Sequence, residues 1–353
     1  MEPDEHMSAA RDLPDTETGA LAGLLAALTP QREKVAAYLS DTYVLESVEQ
    51  LARLRIDAGG FAVRHSLMLL KPEAIVGRAV DPALKWLSEN GFRVVDAVTV
   101  AVDRHLVRAL WYYAWNIASP ERRRLADLLA AVSDCLLLVV SAAHSDLPAP
   151  VRLAEATGPA DPRHGQPGQL RHRLGQRNTL LSLVHTPDDP ADVLRELAIY
   201  FGENQRAEVI TRAYTGADRA ESARELADAL YARTPCRSFD PAVAVDRVLR
   251  DLDRAGAPVP ADFDAGDESA CAGVLARALA AGRDIDPWSA VVLGSRVLPM
   301  WAAARARGGG AGGPAWGARA GGAGVAAGDR RGLAAGARLS ADAGGSGRPA
   351  FGE

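Results

Sequence analysis

The chain has 353 residues and a formal net charge of −5, with 40 Lys and Arg against 45 Asp and Glu. That length suffices for one compact domain plus extensions. The acidic balance leaves no basic field, which argues against a nucleic-acid binder and means that any phosphate must be held by a few placed cations.

The opening, MEPDEHMSAARDLPD, is acidic and polar where a secretory signal needs a basic start and an apolar run, so no export is expected. Residues 1–18 read as a disordered N-terminus. From 19 to 60 the apolar residues fall at helical spacing: Leu21, Leu24, Leu25 and Leu28, then Val35, Ala36 and Leu39, then Val48, Leu51 and Leu54 before Gly59 and Gly60. Two or three helices are expected there, as an extension ahead of a domain spanning 64–203.

That domain opens with a short apolar run, Leu67 to Leu70, closed by Lys71 and Pro72. A helix follows around Pro82 to Glu89, and a strand from Phe92 to Val102. Helical patterns cover 104–116 and 120–132. The apolar run at 135–141 reads as a buried strand and is far too short for the ~20 residues of a membrane helix. A helix near 149–156 leads into a Pro, Gly and His-rich loop from 158 to 175, long enough to be expected functional or disordered. A last strand near 180–184 runs into a helix from Pro190 to Phe201. This order predicts an α+β fold: a ferredoxin-like split βαβ antiparallel sheet with flanking helices, plus helical extensions at both ends.

Beyond 205 the pattern is helical at 219–232, 241–254, 268–281 and 287–305, a C-terminal helical region with no readable function. From 307 to 353 the Gly, Ala and Arg-rich composition cannot offset its ordering entropy, and disorder is expected. Cys135, Cys236 and Cys271 lie far apart with no C-x-x-C spacing. Neither a disulfide framework nor a zinc site is suggested, and a reducing cytoplasm fits.

His185 stands where the apolar run LLSLV meets Thr186-Pro187-Asp188-Asp189-Pro190. That segment reads as a helix N-terminus with an acidic cap and proline in the first turn. A histidine there sits beside the positive end of a helix, where an anion is favoured. Glu196, eleven positions on, is placed to accept from one imidazole nitrogen, fix the tautomer and leave the other free to attack. Asp188 is read as a helix cap, and His164 and His172 as loop residues without metal-ligand spacing.

Three segments in order resemble the nucleoside diphosphate kinase family: LLKPEA at 69–74, PGQLR at 167–171, and HTPDDPADVLRELAIYF at 185–201. The resemblance implies a ping-pong transfer in which His185 takes the terminal phosphate of a nucleoside triphosphate and passes it to a nucleoside diphosphate. It further implies that Lys71 and Arg171 bind phosphates, that Arg152 matches another phosphate-binding arginine, and that Tyr113 lies near the transferred phosphate. Ser182 takes the place of a family asparagine. Magnesium would be carried by the nucleotide, di- and triphosphates would be the partners, and a homo-oligomer is possible in such a family. Preplaced cations and positioning would do most of the catalytic work.

The sequence departs from the family pattern at Ala160, where a phosphate-contacting threonine is expected, and at Glu121 and Arg122, where an aromatic base platform is expected. These departures keep open a second reading: a catalytically degenerate module of the same fold that binds a nucleotide or a protein.

Overall fold

The computed structural model describes residues 15–115, 117–142 and 146–301. Residues 307–353, expected to be disordered, and residues 1–14 lie outside the described residues. Four helices precede the sheet: α1 (Asp15–Leu28), α2 (Arg32–Tyr38), α3 (Thr42–Arg53) and α4 (Ala58–Arg64). The first corrects the expectation of disorder up to residue 18, since the helix already begins at Asp15. Asp41 and Asp57 start α3 and α4 by accepting from the Tyr43 and Gly60 amides, the usual role of an N-cap carboxylate.

The sheet domain runs β1 (His65–Leu70), α5 (Pro72–Val76), α6 (Val80–Glu89), β2 (Phe92–Val100), α7 (Arg104–Leu110), α8 (Tyr112–Trp115), α9 (Pro120–Ala130), β3 (Cys135–Ala142), α10 (Ala149–Thr157), α11 (Leu170–Arg173), β4 (Val184–His185) and α12 (Pro190–Tyr200). The strands lie in the order β2-β3-β1-β4, every neighbouring pair antiparallel. This is the expected split βαβ sheet. Alternate strand residues face opposite layers, as the two-residue period requires. Leu67, Leu69, Leu137 and Val139 pack under α3, α12 and the other N-terminal helices. Met68, Leu70, Leu136, Leu138 and Val140 pack on the α5 and α6 side.

Several boundaries differ from the sequence expectation. The helix over 104–116 is broken at Trp111, whose backbone leaves the helical region. The 158–175 segment is not wholly irregular: it holds a 3-10 turn at Pro162–His164 and α11. The strand expected at 180–184 shrinks to Val184–His185. The Leu180 and Leu181 amides are taken by Asn178 Oδ1 at 3.0 and 2.9 Å, and the Leu183 amide donates to Glu73 Oε1 at 3.0 Å. With those donors spent, no ladder can form there.

After α13 (Glu203–Thr215) and α14 (Ala220–Arg233), which pack along β2, come α15 (Pro241–Arg254), α16 (Glu268–Ala280) and α17 (Pro287–Val297). The Arg219 amide, just ahead of α14, donates to the Val94 carbonyl of β2 at 2.8 Å. Helices α15 to α17 build a third apolar cluster that also takes in Val76, Leu125, Leu129, Leu180 and Leu181 of the sheet domain. The helix expected over 287–305 ends at Val297. Pro299 forces Leu298 out of helical geometry, to φ −94° and ψ 151°. No described helix is long and apolar enough to cross a membrane.

Candidate functional site

Leu183 has a left-handed φ of 68°, a conformation that costs a β-carbon roughly 1–2 kcal/mol. It is held from both sides: its amide donates to Glu73, and its carbonyl accepts from the Lys71 amide at 2.9 Å. This kink turns the chain so that Val184 and His185 pair with Leu70 and Leu69 of β1. His185 therefore ends a strand immediately before α12, and its side chain is 13% exposed.

The His185 Nε2–H donates to Glu196 Oε1 at 2.9 Å. An ionised carboxylate only accepts, so this contact places the ring proton on Nε2 and leaves the Nδ1 lone pair free. The second Glu196 oxygen, Oε2, is buried without a partner. The Trp111 ring meets the imidazole edge-on with centroids 5.3 Å apart. Both contacts fix the ring plane.

His185 lines a cavity of about 110 Å³ together with Lys71, Ala160, Arg171, Thr179, Ser182 and the rings of Trp111, Trp115 and Trp301. Lys71 Nζ lies 2.6 Å from Glu73 Oε1 and donates to the Leu180 carbonyl at 2.9 Å. Arg171 donates through Nη1 to the Gly158 carbonyl and through Nη2 to the Val184 carbonyl at 2.8 Å. Its Nε is buried without a partner. Burial pushes the Arg171 guanidinium down to about 10, with Asp188 and Glu73 opposing from nearby. The guanidinium is thus a buried cation held by carbonyls, with one donor unspent.

Four of the residues proposed from sequence thus share this cavity: Lys71, Arg171, Ser182 and His185, with Glu196 bonded to the last. Two lie elsewhere. Arg152 donates through Nη2 to the Asn90 carbonyl, and its guanidinium lies 4.6 Å from the Phe92 ring centroid. It is therefore spent on closing the α6–β2 turn. Tyr113 is absent from the cavity wall, because the break at Trp111 turns its hydroxyl to Asp41 Oδ2 at 3.4 Å. Ala160 does line the cavity, presenting a methyl where the family pattern has a hydroxyl. Thr179, which nothing in the sequence singled out, also lines it.

The N-terminus of α12 carries a second correction. Asp188 is not the cap; Asp189 accepts from the Asp192 amide at 3.2 Å. Lys34 of α2, 2% exposed, lies 2.8 Å from both Asp189 and Asp192. Thr29 Oγ1 donates to Asp189 at 2.7 Å and the Tyr38 hydroxyl to Asp192 at 2.6 Å. Burial acts to lower the Lys34 ammonium, but Asp189, Asp192 and Asp188 outweigh it and raise it above the ordinary lysine value. Asp188 is pushed up to about 6, first by burial and then by Asp192. The N-terminal extension is thus bolted to the helix that begins five residues after His185. These contacts span more than 150 positions, so no local spacing could have announced them.

A four-stranded antiparallel α+β domain with a histidine–carboxylate pair facing two buried cations defines the class of this molecule. Residues 64–206 match the family model described as nucleoside diphosphate kinase. The chain is 22% identical over 141 residues to the nucleoside diphosphate kinase of Thermococcus kodakarensis, covering 39% of this chain and 77% of the relative. It is 24% identical over 145 residues to that of Bdellovibrio bacteriovorus, covering 41% and 96%. It is 26% identical over 148 residues to that of Thermomicrobium roseum, covering 40% and 91%. Among solved structures it is similar to the nucleoside diphosphate kinase of Encephalitozoon cuniculi, with a TM-score of 0.35 and 17% identity over 39% of this chain and 89% of that one. It is also similar to a Borrelia burgdorferi nucleoside-diphosphate kinase with bound vanadate and ADP, with a TM-score of 0.34 and 18% identity over 40% of this chain and 88% of that one. Residues 64–206, about 40% of the chain, are a nucleoside diphosphate kinase family domain.

Proposed function

We propose that this domain is a nucleoside diphosphate kinase-like phosphotransferase that moves the γ-phosphate of a nucleoside triphosphate to a nucleoside diphosphate through a phosphohistidine at His185. The observation that supports the reading is the Nε2–Glu196 bond, which leaves Nδ1 free on a ring that shares its cavity with Lys71 and Arg171. In the first half-reaction the Nδ1 lone pair forms a bond to the γ-phosphorus as the bond to the β,γ-bridging oxygen breaks, and the diphosphate leaves. The imidazole becomes cationic as this happens, and the Glu196 carboxylate stabilises it through Nε2–H. Reversal with a second diphosphate regenerates the free ring.

Lys71 and Arg171 supply charge to the phosphate oxygens, and Ser182 and Thr179 supply hydroxyls on the same wall. Among the described residues no three His, Cys, Asp or Glu side chains are grouped to hold a metal ion. The donors facing the cavity are cations and hydroxyls, which fits magnesium carried by the nucleotide's own phosphates. Carried so, magnesium would supply positive charge to the phosphates beside that of Lys71 and Arg171.

The test is incubation with a γ-labelled nucleoside triphosphate and magnesium. An acid-labile phosphoenzyme is expected, and none in His185→Ala; label retained by that variant would exclude this nucleophile. The rival, a module that binds nucleotide without turnover, is favoured by one observation: Lys71 is already ion-paired with Glu73 at 2.6 Å. Calorimetric nucleotide binding with no phosphate exchange between nucleotides would establish it.

A further inference from the structure

The C-terminal helical region reaches the cavity. Helix α17 lies so close on α9 that a β-carbon at Gly294 would come within 2.8 Å of Leu125 Cδ2. Asn178, in the segment leading to His185, donates to Ser295 Oγ at 3.0 Å. Beyond the end of α17 at Val297, the extended strap 298–301 runs along the start of α9. The Ser119 hydroxyl donates to the Pro299 carbonyl, the Ser119 amide to the Met300 carbonyl at 3.3 Å, and Trp301 bridges Ala118. This places the Trp301 ring 4.3 Å from the Arg122 guanidinium and on the cavity wall.

Size and polarity say what that ring is for. The cavity, partly open to solvent, has a volume of about 110 Å³, the space of a few waters. That suits a phosphoryl group and falls well below the roughly 300 Å³ at which sites for drug-sized ligands begin. The polar wall is formed by Lys71, which is 9% exposed, with Arg171, Ser182 and His185. A nucleoside attached to phosphates held there must extend toward solvent. Trp301, 39% exposed, is at the solvent side of the same cavity. Arg122 has no carboxylate ion pair among the described residues, and burial lowers its guanidinium below the ordinary arginine value. It backs the indole by cation–π contact.

We propose that Trp301, delivered from outside the family domain by the 298–301 strap, is the aromatic wall against which the nucleotide base stacks, with Arg122 behind it. This rests on the phosphotransferase reading above. It replaces the aromatic platform that the sequence lacks at Glu121 and Arg122, and makes the C-terminal helices part of nucleotide recognition.

The experiment compares two magnesium-loaded probes, ADP and inorganic pyrophosphate, by titration calorimetry on the full chain. Base–aromatic stacking accounts for a loss of about tenfold or more when the ring is removed. In Trp301→Ala, ADP affinity is expected to fall by that factor while pyrophosphate affinity stays within about twofold. Trp301→Phe is expected to recover most of the loss, which a merely structural role would not predict. Unchanged ADP affinity in Trp301→Ala overturns the inference. So does tighter ADP binding, which would make Trp301 a cover over the site, and so does an equal fall for both probes, which would make the strap structural. If the unaltered protein binds neither probe, the phosphotransferase reading fails and this inference with it. If it binds both and only the substitution is silent, the inference alone fails.

Discussion

Replacing Lys34 by methionine tests whether the N-terminal extension is integral to the site. The substitution keeps most of the side-chain volume and removes one charge that lies 2.8 Å from two buried carboxylates. Losing one partner of a buried ion pair costs about 3–5 kcal/mol, because the remaining charges are left unpaired in a poorly hydrated setting. The Thr29 and Tyr38 hydroxyls still donate to Asp189 and Asp192, so the lower end of that range is expected. Because Lys34 is raised above its unfolded value, its contribution is complete below the ordinary lysine range and is lost only as pH climbs through the higher folded value. Deprotonation of Lys34 itself therefore does not limit the penalty near neutral pH, where the loss of its charge is felt by Asp188, Asp189 and Asp192 together. Urea unfolding followed by circular dichroism would register it as a midpoint lowered by about 1 M or more for an ordinary slope. Arg53→Met is the control: it breaks an exposed contact with Glu203, side chains 54% and 67% accessible, where less than about 1 kcal/mol is at stake. If the two variants unfold at the same urea concentration, the bolt between α2 and α12 is not holding the helix.

Two further outcomes follow from the same geometry. Glu196→Gln keeps an acceptor for His185 Nε2 but removes the charge that stabilises the ring as it becomes cationic, so single-turnover labelling should slow by about 10- to 100-fold; a rate within twofold would mean that the charge is dispensable. Asp188 has a folded value of about 6 against 3.8 for an ordinary aspartate. The unfolded chain gives up that proton first, so stability from this group declines as pH rises through that window and the deficit persists above it. Asp188→Asn should therefore stabilise the protein by about 1–3 kcal/mol at pH 7 and by almost nothing below pH 4, read as the difference in Tm between variant and parent at the two pH values. An identical difference at both would contradict the assignment.

The sheet and its order were legible because Leu67–Leu70 and Cys135–Val140 are apolar runs, Phe92–Val100 alternates, and the connecting helices carry clear periodicity. Their strand residues need no long-range information to be recognised. The last strand was misjudged because side-chain acceptors on Asn178 and Glu73 claim the amides of Leu180, Leu181 and Leu183. Apolar composition says nothing about where those donors go. Lys71, Arg171, Ser182 and His185 could be found from motif segments, since each sits beside a strand end or a loop whose local sequence is distinctive. Tyr113 was assigned through the family resemblance alone, and the interruption at Trp111 turns it away from the cavity. Lys34 and Trp301 had no signal of this kind, because one reaches the start of α12 and the other the cavity, each from a segment whose own pattern describes only a helix or its end.

Of the two outer strands of the sheet, one is very short and the other is partly covered. Val184–His185 is too brief to template another chain, and the β2 margin is overlain by α13 and α14 and bonded at Val94 by the Arg219 amide. Unsatisfied strand margins are what let sheets fuse between molecules and seed aggregates. Among the described residues, a second copy approaching the β2 margin would have to compete with the α13–α14 segment already packed there.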